Sequence, residues 1–143
     1  MEVRQISVFL ENKAGRLAKV TRLLGDNGIN IRALSIADTT DFGILRMIVN
    51  DPERAERLLR EAGFAVTTTG VLAVEVPDRP GGLAEVLEVL ERAGLNIEYL
   101  YAFVEKASPD ALVLIRVEDL PKAVRVLTEA GVSVLPGKRV YAL

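Results

Sequence analysis

The 143-residue chain carries one pattern twice, and a single long period of self-similarity restricts the fold to two copies of one unit. The segment Glu11-Asn12-Lys13-Ala14-Gly15-Arg16-Leu17 stands between a strand-like alternation (Ile6, Val8, Leu10) and a helical stripe (Leu17, Val20, Leu24). Pro77-Asp78-Arg79-Pro80-Gly81-Gly82-Leu83 stands in the same way between Leu72, Val74, Val76 and Leu83, Val86, Leu87, Leu90. Leu72 to Phe103 aligns on Ile6 to Ala37 without a gap, matching Gly15 with Gly81, Leu17 with Leu83, Gly28 with Gly94, Asn30 with Asn96 and Ile31 with Ile97. A short insertion around Lys106 to Asp110 then shifts the alignment, after which Asp51 meets Asp119, Ala55 meets Ala123 and Gly63 meets Gly131. The expected domains are residues 1–70 and 71–143.

Periodicity sets the elements of one copy. Val3 to Leu10 alternates as a half-buried strand does. Leu17, Val20, Leu23 and Leu24 then line one face of a helix over Gly15 to Asn27, with Gly28 at its C-terminal end. Asn30 to Ala37 is a second strand, Asp38-Thr39-Thr40-Asp41 a turn, and Ile44 to Val49 a third strand. Asp51-Pro52 opens a second helix that Gly63 ends, and Phe64 to Thr68 is a fourth strand. Made twice, this order is α+β: two ferredoxin-like βαββαβ units, each an antiparallel sheet with both helices on one face.

The connector adds a geometric constraint. In two such sheets joined edge to edge, Thr69 and Gly70 cannot bridge the ~29 Å of about six strand spacings. A tight hairpin there would instead pair Phe64 to Thr68 with Val71 to Val76. The prediction is that the copies exchange their last strands, Arg139 to Ala142 completing the first unit. The bare face and one edge of each sheet would need cover or a partner, through which the chain could form a homodimer or hold a metabolic enzyme.

Composition removes whole classes of function. The chain has no histidine and no cysteine, which excludes thiol nucleophiles, disulfides, imidazole bases and the usual zinc or copper sites. No metal, cofactor or catalytic residue is expected. A net charge of -2 gives no electrostatic ground for binding nucleic acid or an anionic membrane. Met1-Glu2-Val3-Arg4-Gln5 does not read as a signal peptide, and no apolar run reaches the ~20 residues of a spanning helix. A cytoplasmic protein is the expectation.

The two turns are the candidate binding elements. A helix that starts just after Asn12-Lys13-Ala14-Gly15 offers backbone N–H groups and the positive end of its dipole, a setting for a carboxylate or phosphate. Glycine at 15 and 81 lets a ligand approach the main chain. Asn12 can both donate and accept, which suits a zwitterion, whereas Asp78 can only accept; the two sites are expected to be unequal. The same residues also have a plain structural reading, in which Asn12 and Asp78 are N-caps and Pro80 sits in a first helical turn.

These residues resemble the ACT domain, a small amino-acid-sensing module of regulated enzymes. The resemblance rests on Asn12-Lys13-Ala14-Gly15-Arg16-Leu17 with Gly28-Ile29-Asn30-Ile31, and on Asp78-Arg79-Pro80-Gly81-Gly82-Leu83 with Gly94-Leu95-Asn96-Ile97. It covers essentially the whole chain and implies a tandem ACT protein that binds an amino acid between paired units. Carried over, Asn12, Ala14, Gly15, Arg16 and Leu17 would face Asn96 and Ile97, while Asp78, Pro80, Gly81, Gly82 and Leu83 would face Asn30 and Ile31. The chain departs from the serine-binding members, which have a histidine just before the turn where Leu10 and Val76 stand here. An apolar wall of Leu10, Leu34 and Leu100 suits an aliphatic or aromatic side chain better.

Other classes fit less well. An acylphosphatase-like enzyme needs a glycine-rich cradle, and the first turn has one glycine. An RNA-recognition module stacks bases on aromatic residues of its central strands, which here read Ile44 to Val49 and Leu112 to Val117 without one. Tyr99, Tyr101 and Phe103 read as a core or interface stripe. The competing reading is an interaction module that binds no small molecule.

Overall fold

The structure, a computed structural model, describes residues 2–38, 41–104 and 109–143. The tip of the turn expected at Asp38 to Asp41 and most of the insertion around Lys106 to Asp110 lie outside the described residues. The chain divides into two compact units: Arg4–Thr69, and Gly70–Leu143 with the N-terminal residues through Val3.

The first unit is made from β1 (Val3–Glu11), α1 (Arg16–Asp26), β2 (Ile31–Asp38), β3 (Phe42–Val49), α2 (Pro52–Glu61) and the start of β4 (Ala65–Val76). β3 pairs antiparallel with β1, Ile6 opposite Met47 and Leu10 opposite Gly43, and on its other side with β2, Ile36 opposite Leu45. The period of two sends Ile6, Val8 and Leu10 to one face, where they meet Val20 and Leu24 of α1, Ala55 and Leu59 of α2, and Leu45, Met47 and Val49 of β3. Each large aliphatic side chain so buried contributes ~1.5–3 kcal/mol. Asp51 caps α2, its carboxylate accepting from the Arg54 N–H at 3.3 Å, and Pro52 occupies the first turn, where no N–H is needed.

The second unit continues with the end of β4, α3 (Gly82–Arg92), β5 (Ile97–Ala102), β6 (Ala111–Val117), α4 (Leu120–Glu129), β7 (Val134–Leu135) and α5 (Gly137–Tyr141). Its strands run β5-β6-β4-β7, all neighbours antiparallel. Leu72, Val74 and Val76 pack with Val86, Leu90, Ile115 and Leu127 as their counterparts do in the first unit. Asp119 caps α4 through the Lys122 N–H at 3.1 Å. Tyr99 and Tyr101 stack with ring centroids 6.5 Å apart, and Tyr101 is buried.

Two sequence expectations fail, and both failures are local. Residues 69 and 70 do not form a hairpin: β4 runs unbroken from Ala65 to Val76, and neither Thr69 nor Gly70 has the positive φ that a type I′ or II′ turn requires. Glycine is needed there for space, since a side chain would run into that of Glu2, and the Gly70 carbonyl accepts from the Arg116 guanidinium at 2.8 Å. The strand exchange is also absent. The last strand is Val134–Leu135, which pairs within its own unit, Val134 opposite Val74 and Leu135 opposite Ala73. Pro136 has no N–H to continue the ladder, and Arg139 to Tyr141, expected as a strand, belong to the short α5 with Val140 buried.

Candidate functional site

In the first unit the chain leaves β1 at Glu11 and turns tightly into α1. The Asn12 N–H donates to the Asp41 carbonyl and the Lys13 N–H to the Glu11 carbonyl, both at 2.8 Å, while the Arg16 N–H reaches the Lys13 carbonyl at 3.3 Å. Gly15 is the N-cap, in the left-handed conformation at φ 86°, ψ -11°. An L side chain costs roughly 1–2 kcal/mol in that conformation. Glycine also brings no capping group, so the Leu17 and Ala18 N–H groups leave the helix start without a side-chain acceptor.

The second unit repeats the device. Gly81 is the N-cap at φ 83°, ψ -8°, again with no side-chain cap, and the Gly82 N–H donates to the Arg79 carbonyl at 2.9 Å. The plain structural reading is thereby corrected: the cap positions belong to Gly15 and Gly81 and not to Asn12 and Asp78, and Pro80 precedes the helix. Gly82 is buried, and a side chain there would strike the Pro77 carbonyl.

The turns differ in charge. In the first, the Glu11 carboxylate lies 2.9 Å from Lys13 Nζ and 3.7 Å from the Arg16 guanidinium. The Lys13 hydrogen bond and charge, then the Arg16 charge, hold its pKa below the usual carboxylate range. Pro77 takes that place in the second unit, and Arg79 is instead held by Glu85 at 2.8 and 3.1 Å. Glu11 has a role that the sequence reading missed; a carboxylate two residues before Lys13 was the available signal.

The other expected residues lie at the β2 and β5 starts. The Asn30 N–H donates to Asn50 Oδ1 at 3.0 Å and the Asn50 N–H to the Asn30 carbonyl at 3.2 Å, which leaves the Asn30 side chain exposed and Ile31 half-buried. Asn96 is likewise exposed and Ile97 half-buried. Neither unit brings its own turn and its own asparagine together. They lie at opposite ends of a first helix of 11 residues, which is about 16 Å long.

Two hollows adjoin these residues. One, of about 300 Å³, is lined by Phe9, Leu10, Phe42 and Phe64 together with the ion-paired Glu11 and Arg16, and so sets an apolar surface beside a carboxylate and a cation. The other, of about 530 Å³, takes in Asn96 with Glu98, Glu118, Asp119 and Lys122. Of the expected apolar wall, Leu10 lines the first hollow, while Leu34 and Leu100 lie on the second strands, 38% and 37% exposed.

Two small α+β units, each opening its first helix on an uncapped left-handed glycine, define a tandem pair of modules; no metal-binding cluster occurs among the described residues. The chain belongs to the ACT domain pair family, whose model matches residues 1–142. ACT domains are regulatory rather than catalytic.

The solved structure of protein BT0572 from Bacteroides thetaiotaomicron is 44% identical, with a TM-score of 0.93 over 100% of this chain and 98% of that one. The fold is shared with the regulatory subunits of aspartate kinase from Thermus thermophilus (ligand-free form) and Thermus flavus. The first is 20% identical with a TM-score of 0.63 over 89% of this chain and 91% of that one. The second is 17% identical with a TM-score of 0.61 over 92% and 94%. No curated protein sequence matches the chain. No helix among the described residues is long and apolar enough to cross a membrane.

Proposed function

We propose that this chain is an amino-acid-binding regulatory protein whose ligand carboxylate sits at the glycine-opened helix starts. In this reading Asn12, Ala14, Gly15, Arg16 and Leu17 act with Asn96 and Ile97, and Asp78, Pro80, Gly81, Gly82 and Leu83 act with Asn30 and Ile31. The observation that carries it is the pair of helix starts at Gly15 and Gly81, which lack a side-chain cap in a family of regulatory domains. In the first turn Lys13 and Arg16 are paired with the Glu11 carboxylate, with which a ligand carboxylate would compete.

Heat denaturation of the whole chain with each of the twenty amino acids tests this. A ligand bound only to the native state at 100 times its dissociation constant adds ~2.7 kcal/mol of stability. A shift with one or a few amino acids is expected, and none with any would exclude the reading.

A second reading has its own observation. Phe9, Ile36 and Phe42 of the first unit are 46%, 48% and 61% exposed, an apolar display that suits an adaptor pairing with itself or with a metabolic enzyme. Light scattering that gives a dimer lost in Phe42→Ser, with no amino-acid response, would favour it.

A further inference from the structure

We propose that Arg32, at the start of β2, is an oxyanion-binding residue that takes a ligand carboxylate. Its Nε is buried and has no hydrogen-bond partner. Arg32 as a whole is half-buried, and a buried N–H donor without an acceptor is costly, so its Nε–H is placed to donate to an oxyanion that the described residues do not supply.

The second unit shows what the first lacks. The corresponding residue is Glu98, and each stands at an equivalent irregularity in its strand: β2 shifts register between Ile31 and Ala33, β5 between Ile97 and Tyr99. Glu98 has a partner, the Arg116 guanidinium at 2.9 Å. The register places Arg116 opposite Tyr99 and Ile48 opposite Ala33. Where the second unit has the Glu98–Arg116 ion pair, the corresponding residues of the first unit are Arg32 and Ile48.

The polar groups between the end of β3 and the first turn of α2 are already engaged. Asn50 Oδ1 accepts from the Asn30 N–H, Asp51 caps α2, and the Arg54 guanidinium donates to the Asn27 carbonyl at 2.7 Å. The charge shifts as well: Arg32 and Asn50 stand where the second unit has Glu98 and Glu118, while Asp51/Asp119 and Arg54/Lys122 keep their sign. An anion is favoured at the Asn30 end and disfavoured at the Asn96 end. This rests on the amino-acid reading only for the ligand's identity.

The test follows the Nε–H signal of Arg32 in the 15N spectrum of the whole chain, assigned by its loss in Arg32→Lys. Sodium acetate should move it saturably, and acetamide at equal concentration should not. Free Arg32→Gln should melt no lower than wild type, and any amino acid that stabilises wild type should do so at least about fivefold less tightly in Arg32→Gln. A signal indifferent to acetate overturns the site, a response to phosphate alone overturns the carboxylate assignment, and a marked fall in Tm of Arg32→Gln makes the residue structural. If acetate titrates Arg32 while none of the twenty amino acids binds, the sensor reading falls and this site stands. If amino acids bind wild type and Arg32→Gln equally, the reverse holds.

Discussion

Gly15 and Gly81 hold the same backbone geometry in the two units, φ 86° and 83°, each as the N-cap of a first helix that has no side-chain cap. The repetition carries a consequence for stability and binding together. A Cβ at either position meets nothing within 4 Å, so substitution strains the backbone without a steric clash. Gly15→Ala should cost ~1–2 kcal/mol by denaturant titration, with the slope of the transition unchanged.

Glu11 should link the stability of the first turn to pH. Its folded pKa is depressed by Lys13 and Arg16, so its contribution is present above the ordinary carboxylate pKa and is lost as pH falls through the depressed folded value. The stability difference between wild type and Glu11→Gln, small at neutral pH because the group is exposed, should vanish on acidification through that window. The same substitution frees Lys13 and Arg16 for an incoming carboxylate, and titration should give tighter ligand binding at neutral pH.

The two cores are built alike and should respond alike. Leu24 and Leu90 are both fully buried, and truncation to alanine should cost 2–5 kcal/mol in each case. Denaturation followed by circular dichroism measures both.

The second helices depend on their caps. Asp51→Ala and Asp119→Ala should each cost about 0.5–2 kcal/mol, since each removes the acceptor for one helix-start N–H. Asn12→Ala should not show this loss by the capping route, because Gly15 holds the cap position.

The repeat made most of the fold legible. The period-two strands of Ile6–Leu10 and Leu72–Val76 and the helical stripes at Leu17–Leu24 and Leu83–Leu90 are local patterns with one physical solution each. What misled was the chain between them. Thr69-Gly70 has turn composition, yet its neighbours Val66 to Thr68 and Val71 to Val76 are strand formers, and Gly70 serves to admit Glu2, a contact distant in sequence. Arg139 to Ala142 alternates weakly, and Pro136 ended the ladder before it. At the site, the glycines were readable because their spacing repeats. Glu11 and Arg32 were harder, since their roles depend on what is absent across the turn or strand: Pro77 in place of Glu11, and Ile48 in place of Arg116.

Titration calorimetry of each of the twenty amino acids into wild type, Gly15→Ala and Asn96→Ala tests the central claim most directly. The account predicts saturable heat with at least one amino acid in wild type and an affinity about tenfold or more weaker in each variant, the equivalent of ~1.4 kcal/mol. Absence of saturable heat with all twenty, or unchanged affinity in both variants, would contradict it.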